Sequence, residues 1–248
     1  MIKDILFPRR CPVCGEIVRE NFVLECDHIP VPKNEKKLIC PHCYNKLSFV
    51  GDSHCIKCGA PIEDERTEYC KRCRSTRHYF ETNRGMLDYT SPHSERLIWD
   101  LKYNNKKEYA DLLACEMAAR YSRYIASSGC EALVPVPIHP SKRRSRGYNQ
   151  AEVIAARLGS NIGLPVEKDI LFRVKKTVPL KELSPAERYA NLKLAFAADE
   201  YAGSYKKLMV IDDIYTTGST LDCCALALKS AGVRAVYGLT ACIVPGRE

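Results

Sequence analysis

Lys206–Leu221 reads KKLMVIDDIYTTGSTL, three parts in a fixed order. Leu208, Met209, Val210 and Ile211 form a short apolar run, the pattern of a parallel-sheet strand buried on both faces. Asp212 and Asp213 follow at the strand's C-terminal end. Thr216, Thr217, Gly218, Ser219 and Thr220 come next, and a helical pattern covers Leu221–Ala231. A strand that enters a helix through a turn rich in hydroxyls and glycine makes a phosphate cradle. Unpaired backbone N–H groups and the positive end of the helix dipole face the anion, and Gly218 allows close backbone approach. The Thr and Ser hydroxyls add donors and cap the helix. Two adjacent carboxylates accept hydrogen bonds from a vicinal diol or hold a metal ion. The stretch therefore suits a sugar that carries both a phosphate and free hydroxyls. A lone Asp-Asp or a lone Thr-Gly would fit an ordinary strand, turn and capped helix. The whole string in this order is hard to explain that way.

Cysteine is the second strong signal. The 248-residue chain has 14 of them. Eight form four Cys-x-x-Cys pairs within the first 73 residues: Cys11/Cys14, Cys40/Cys43, Cys55/Cys58 and Cys70/Cys73. With no secretory signal expected from Met1–Phe7, whose apolar stretch is too short, the pattern reads as metal binding rather than a disulfide framework. Gly15 and Gly59 follow second cysteines, as in a zinc knuckle whose tight turn aims backbone N–H groups at sulfur. The third and fourth pairs fit one four-cysteine ribbon, and the first and second fit another with a longer loop. Spacing alone leaves an interleaved pairing open. Eight thiols complete two tetrahedral Zn²⁺ sites. His28, His42 and His54 are therefore expected to be non-ligands, and Cys26 a spare thiol. A redox dithiol is the weaker alternative, because such a pair usually occurs once, at a helix start beside a strand.

These signals divide the chain into a double zinc-ribbon segment, 1–80, and an α/β segment, 81–248. Residues 1–80 hold 14 Lys/Arg and 11 Asp/Glu, and residues 81–248 hold 24 and 19. Eight thiolates and two Zn²⁺ would take the first segment from +3 to about −1. The positive excess thus sits in the second segment, where it serves a polyanionic substrate or a nucleic acid. No apolar run approaches the roughly 18 residues that span a bilayer, so no membrane insertion is expected and the chain should be cytoplasmic.

Along the second segment, Arg74–Arg84 reads as a linker and Gly85–Thr90 as a strand or hairpin arm. Ser91–Tyr103 is helical, with Ile98, Leu101 and the only tryptophan, Trp99, on its buried side. Lys106–Tyr124 is a second helix with Leu112, Leu113, Met117 and Tyr121 at helical spacing. Ala132–Pro140 is a short strand, its prolines excluding a long central one. It runs into a loop, 141–150, that carries Lys142, Arg143, Arg144 and Arg146. These cations are either a solvated basic loop or a pyrophosphate clamp at a strand's C-terminal end, and the Asp-Asp stretch favours the clamp. Helix Ala151–Leu158, strand Ile170–Phe172 and a loop over Arg173–Asn191 follow. That loop is polar enough to close over a substrate and exclude water. Ala235–Val244 is the last strand. Cys115, Cys223, Cys224 and Cys242 are expected in the core.

Residues 208–220 resemble the phosphoribosyl-pyrophosphate (PRPP) signature of type I phosphoribosyltransferases. The wider pattern resembles the ComF family of competence-associated proteins. It includes the cysteine knuckles, Leu101-Lys102-Tyr103, Val134–His139, Arg146–Gln150, Arg188-x-x-Asn191 and Asp212–Thr220. The resemblance implies a type I phosphoribosyltransferase fold, a mostly parallel sheet flanked by helices, preceded by a small zinc-ribbon domain. It implies that Asp212 and Asp213 hold the ribose hydroxyls and that Thr216–Thr220 cradle the 5′-phosphate. Lys142, Arg144 and Arg146 would flank the pyrophosphate, which Mg²⁺ accompanies. Asp212, Asp213 and Arg146 are then the candidate catalytic groups. Lys102, Arg173, Thr177, Arg188 and Asn191 match family positions. Leu180 stands where the family often has glutamine, which puts loop–ligand contacts, and catalysis more than binding, in question.

Three functions compete. The first is phosphoribosyl transfer from PRPP to a nucleophile. The second is a module for DNA uptake and natural transformation that binds single-stranded DNA or a nucleotide, with Tyr103, Tyr109 or Tyr148 stacking bases. The ComF resemblance adds a DNA-processing protein as a candidate partner of that second function, and in the third the zinc ribbons act only as a protein-docking platform.

Overall fold

The structure, a computed structural model, describes residues 10–18, 39–64, 66–174 and 195–245. Met1–Phe7, Cys26, His28 and most of the expected polar loop, with Thr177, Leu180, Arg188 and Asn191, lie outside the described residues. In chain order the elements are helices α1 (Pro41–Tyr44) and α2 (Lys71–Ser75), strand β1 (Asn83–Asp88), and helices α3 (Pro92–Tyr103) and α4 (Tyr109–Ser128). Strand β2 (Ala132–Pro135), helices α5 (Pro140–Arg146) and α6 (Gln150–Ile162), and strands β3 (Leu171–Arg173) and β4 (Phe196–Ala198) follow. A 3₁₀ turn (Glu200–Ser204), β5 (Lys207–Tyr215), α7 (Ser219–Ser230) and β6 (Ala235–Ile243) complete them.

Four strands make one parallel sheet in the order β1-β6-β5-β2, and β3 and β4 form a separate antiparallel pair. Side chains alternate faces along β5. Met209 and Ile211 join the core under α3, α4 and α6, while Leu208 and Val210 join the core under α7. The result is an α/β fold with helices over a parallel sheet, consistent with a type I phosphoribosyltransferase-like architecture. The two cysteine knuckles take opposite sides. Cys11, Val18, Ile39, Cys43 and Leu47 belong to the first core, and Cys55, Cys58, Ala60 and Phe80 to the second.

Four expectations need correction. Arg74–Arg84 is not a linker: Phe80 is 1% exposed, and the strand begins at Asn83. Two aromatic side chains, His78 and Phe80, stack there with ring centroids 4.7 Å apart, and that burial fixes the segment. Trp99 is 52% exposed. The buried stripe of α3 runs through Ser94, Leu97, Ile98 and Leu101, so at about 100° per residue Trp99 turns outward. The basic run 141–150 opens as a helix, α5. His139 caps it by accepting from the Ser141 N–H at 3.2 Å, Pro140 starts it, and Gly147 ends it at φ +79. Finally, β5 does not stop at Ile211. It stays paired with β6 as far as Tyr215, whereas its other neighbour, β2, ends opposite Ile211. From Asp212 onward one edge of β5 is open, and this creates the crevice at the C-terminal ends of the strands.

Candidate functional site

The sulfurs of Cys11, Cys14, Cys40 and Cys43 lie within 4.8 Å of one another, and so do those of Cys55, Cys58, Cys70 and Cys73. First pairs with second and third with fourth, and the interleaved alternative is excluded. His42 and His54 stand outside both groups. Tetrahedral Zn²⁺ with bonds of about 2.3 Å needs sulfur–sulfur edges of about 3.8 Å. The Cys14–Cys40 and Cys58–Cys70 separations are 3.8 Å and 3.7 Å. In the first cluster the Cys43 N–H donates to Cys40 Sγ at 3.4 Å, an orientation that suits a thiolate. Geometry and donor chemistry both support two Zn²⁺ sites.

At the open edge of β5, Asp212 and Asp213 are half-buried. Burial first, and the neighbouring Asp213 carboxylate second, push the Asp212 carboxyl up to about 8, against the pull of Lys102 and Arg173. Its Oδ1 accepts the Asp213 N–H at 2.8 Å. Asp213 Oδ2 meets Lys102 Nζ, from α3, at 2.9 Å. Lys102 also lines an open cleft of about 760 Å³ with Tyr103, Lys107, Lys142, Arg144 and Arg146. Of the basic run in α5, only Arg143 turns away, to Glu152 at 3.0 Å. The Lys142 ammonium is pushed down from its ordinary value by burial and by the nearby charges of Arg146, Arg173 and Lys102. Cations crowded in this way suit a polyanion.

Arg146 has two further partners, Gln150 Oε1 at 3.2 Å and the Tyr103 hydroxyl at 3.3 Å. Its guanidinium lies 4.9 Å from the Tyr103 ring centre, and the Trp99 ring centre lies 4.5 Å from that of Tyr103, the rings tilted by 48°. Tyr103 is 55% exposed, so Trp99, Tyr103 and Arg146 form an open cluster of two tilted rings and a cation beside the cleft. Trp99 and Tyr103 stand four residues apart on one helix, a spacing that marks a shared face. Tyr148 is instead buried and bonded to the Leu101 carbonyl, which rules it out as a stacking surface.

The turn after β5 leaves Thr216 and Thr217 exposed. Gly218 takes φ +85 as the residue before α7, and a Cβ there would collide with the Tyr215 hydroxyl. Thr217 Oγ1 lies 2.8 Å from Ser219 Oγ, and the Asp222 N–H closes the first helical bond onto Gly218 O at 2.8 Å. Ser219 and Thr220 open α7. This turn is not part of the wall of the basic cleft; the Lys102–Asp213 pair connects the two. Three residues at the site escaped the sequence reading: Arg72, His78 and Asp222. Arg72 Nη1 donates to Thr216 O at 2.6 Å, and His78 Nδ1 lies 2.7 Å from Asp222 Oδ2. A histidine five residues beyond Cys73 was the available signal.

Comparison with known proteins supports the zinc-ribbon reading and finds homologues over most of the chain. Residues 2–74 match the double zinc ribbon domain family. The chain is 29% identical over 222 residues to competence protein F of Haemophilus influenzae, covering 81% of the chain and 95% of the relative. It is 26% identical over 236 residues to competence protein ComFC of Streptococcus pneumoniae, covering 92% and 96%. These proteins are homologues of the chain. The DNA utilization protein YhgH of Salmonella typhimurium is also similar, 29% identical over 172 residues, covering 68% and 74%. Among the described residues, no helix is long and apolar enough to cross a membrane.

Proposed function

We propose that the chain binds PRPP or a related phosphoribosyl ligand with Mg²⁺ and serves DNA uptake and natural transformation in the cytoplasm. The 2.9 Å pair of Lys102 with Asp213 carries the proposal, because it joins a carboxylate pair beside a phosphate-type turn to a cationic cleft. Asp212 and Asp213 would accept from the ribose 2′- and 3′-hydroxyls. Amides and hydroxyls of Thr216–Thr220 would take the 5′-phosphate, with Gly218 admitting it closely. Lys142, Arg144 and Arg146 would face the pyrophosphate. The oxygen donors of the Asp pair fit Mg²⁺, which takes one or two carboxylates alongside substrate phosphates. When bound it would lower the charge of the leaving pyrophosphate. Transfer to a nucleophile would break the C1′–oxygen bond, with the electron pair departing on pyrophosphate. The chain's own contribution to that step is positioning and electrostatic stabilisation. Calorimetric titration of the zinc-loaded chain with PRPP and Mg²⁺ tests the site. Saturable binding is expected, at least about tenfold weaker in Asp213→Ala, since a charge-assisted contact contributes about 1.5–3 kcal/mol. A folded, zinc-loaded chain that takes up no PRPP overturns it.

The exposed cluster of Trp99, Tyr103 and Arg146 favours a second reading, in which the same cleft holds single-stranded DNA. The names of the homologues, competence and DNA utilization proteins, support a DNA-related role. The cleft cations would track phosphates and the rings would stack bases, each worth about 1–3 kcal/mol. Trp99 is the only tryptophan, so its fluorescence reports directly. Quenching by an oligonucleotide, weakened by added salt and by Arg144→Ala, is expected. Unquenched emission at low salt excludes this surface. The ribbons remain available to dock a DNA-processing protein.

A further inference from the structure

The second cysteine knuckle reaches directly into the turn between β5 and α7. Arg72 sits in α2, between Cys70 and Cys73, and its Nη1 donates to the Thr216 carbonyl at 2.6 Å. A second connection runs in parallel. Cys73 Sγ lies 3.5 Å from His78 Nε2, and His78 Nδ1 lies 2.7 Å from Asp222 Oδ2 in the first turn of α7. The Tyr79 N–H donates to the other oxygen of Asp222 at 2.7 Å. Beneath both contacts, Phe80 meets the Tyr215 ring edge-on at 6.3 Å, and Tyr215 backs Gly218.

Each contact has a consequence for the turn. The peptide between Thr216 and Thr217 is trans and planar, so its N–H points opposite to its C=O. Arg72 draws the carbonyl toward the knuckle, which directs the Thr217 N–H away from it. That is the orientation an anion needs. Asp222 would otherwise place an uncompensated negative charge beside the helix N-terminus and repel a phosphate. His78 and the Tyr79 N–H occupy both of its oxygens and hold it back from the turn.

We propose that Arg72, with His78 and Asp222, is a positioning group for the phosphate turn, so that the second zinc knuckle sets the shape of the ribose-phosphate site. This role rests on the phosphoribosyl site proposed above. Loss of the metal from Cys55, Cys58, Cys70 and Cys73 would release α2, and with it the Thr216 carbonyl. The zinc segment then acts on ligand affinity without touching the ligand.

The test uses the full zinc-loaded chain, wild type and Arg72→Ala, with zinc content, PRPP–Mg²⁺ titration and amide hydrogen exchange measured on each. Arg72→Ala should keep two zinc ions. It should speed exchange of the peptide carrying the Asp222 N–H, leave α4 unchanged, and weaken PRPP about tenfold, the size of one charge-assisted hydrogen bond. Arg72→Lys, which keeps a cationic donor, should recover part of both effects. Unchanged exchange at Asp222 in a zinc-replete Arg72→Ala chain overturns the proposal, whatever PRPP does. If the wild type takes up no PRPP but exchange rises in the variant, the ligand assignment fails and the positioning stands. Should Arg72→Ala fail to hold zinc, Asp222→Asn, which changes no residue of the zinc knuckle itself, is judged by the same exchange criterion.

Discussion

Burial and the adjacent Asp213 carboxylate push Asp212 up to about 8, far above the ordinary carboxyl value of 3.8. Between those two pH values the folded chain holds a proton that the unfolded chain has released. The folded state therefore binds more protons, and stability falls as pH rises across the window. The slope for one fully differential proton is about 1.4 kcal/mol per pH unit. Asp212→Asn removes the titrating group. Urea unfolding at pH 5 and pH 8 should show the variant gaining relative to wild type at the higher pH. A wild-type-minus-variant difference that stays flat between the two pH values would mean that Asp212 titrates normally. At this scale the sequence was legible where chemistry is written in adjacent residues. The Asp pair, the hydroxyl turn and eight cysteines announce themselves by spacing. Lys102 carried no derivable role until its 2.9 Å contact with Asp213 appeared. Trp99 was misplaced because two residues of a helix can both be apolar while only one faces the core.

Helix α7 and the turn before it were legible as elements, because the apolar run, the glycine and the helical period all agree. The strand's true length was not. Its continuation to Tyr215 depends on pairing with β6, which lies more than twenty residues downstream. The helical start of the basic run could have been read from Pro140 and Gly147, which bracket it in the usual order. Four cations in five positions equally suit a solvated loop, so composition alone does not reveal the helix. Gly218 is where element geometry and site function coincide. At φ +85 an alanine would be strained by about 1 kcal/mol, and its Cβ would also meet Tyr215. Gly218→Ala should lower stability by about 1–3 kcal/mol in chemical denaturation, with the turn forced to move. A variant as stable as wild type would show that the turn readily adopts another conformation.

A division near residue 80 is what composition and cysteine spacing predict, and both cores contain residues from either side of it. One knuckle completes the core under α3, α4 and α6, and the other completes the core under α7. This sharing was hidden in the sequence because a knuckle contributes only a few apolar residues, none with a period that points to a partner. Its energetic weight is nonetheless large. Val18, Ile39 and Leu47 are buried, each worth about 1.5–3 kcal/mol. Removing residues 1–75 would uncover part of each core in a fold whose net stability, like that of most domains, is about 5–15 kcal/mol. The truncated chain should therefore lose its cooperative thermal transition and aggregate. Stripping Zn²⁺ from the intact chain with a chelator should lower the melting temperature for the same reason, because metal binding here is coupled to folding. Scanning calorimetry of the truncated chain distinguishes the two architectures. A sharp transition near that of the intact protein would mean that the ribbons are an appendage, available only for docking a partner. Its absence would make them part of the scaffold that holds the turn between β5 and α7.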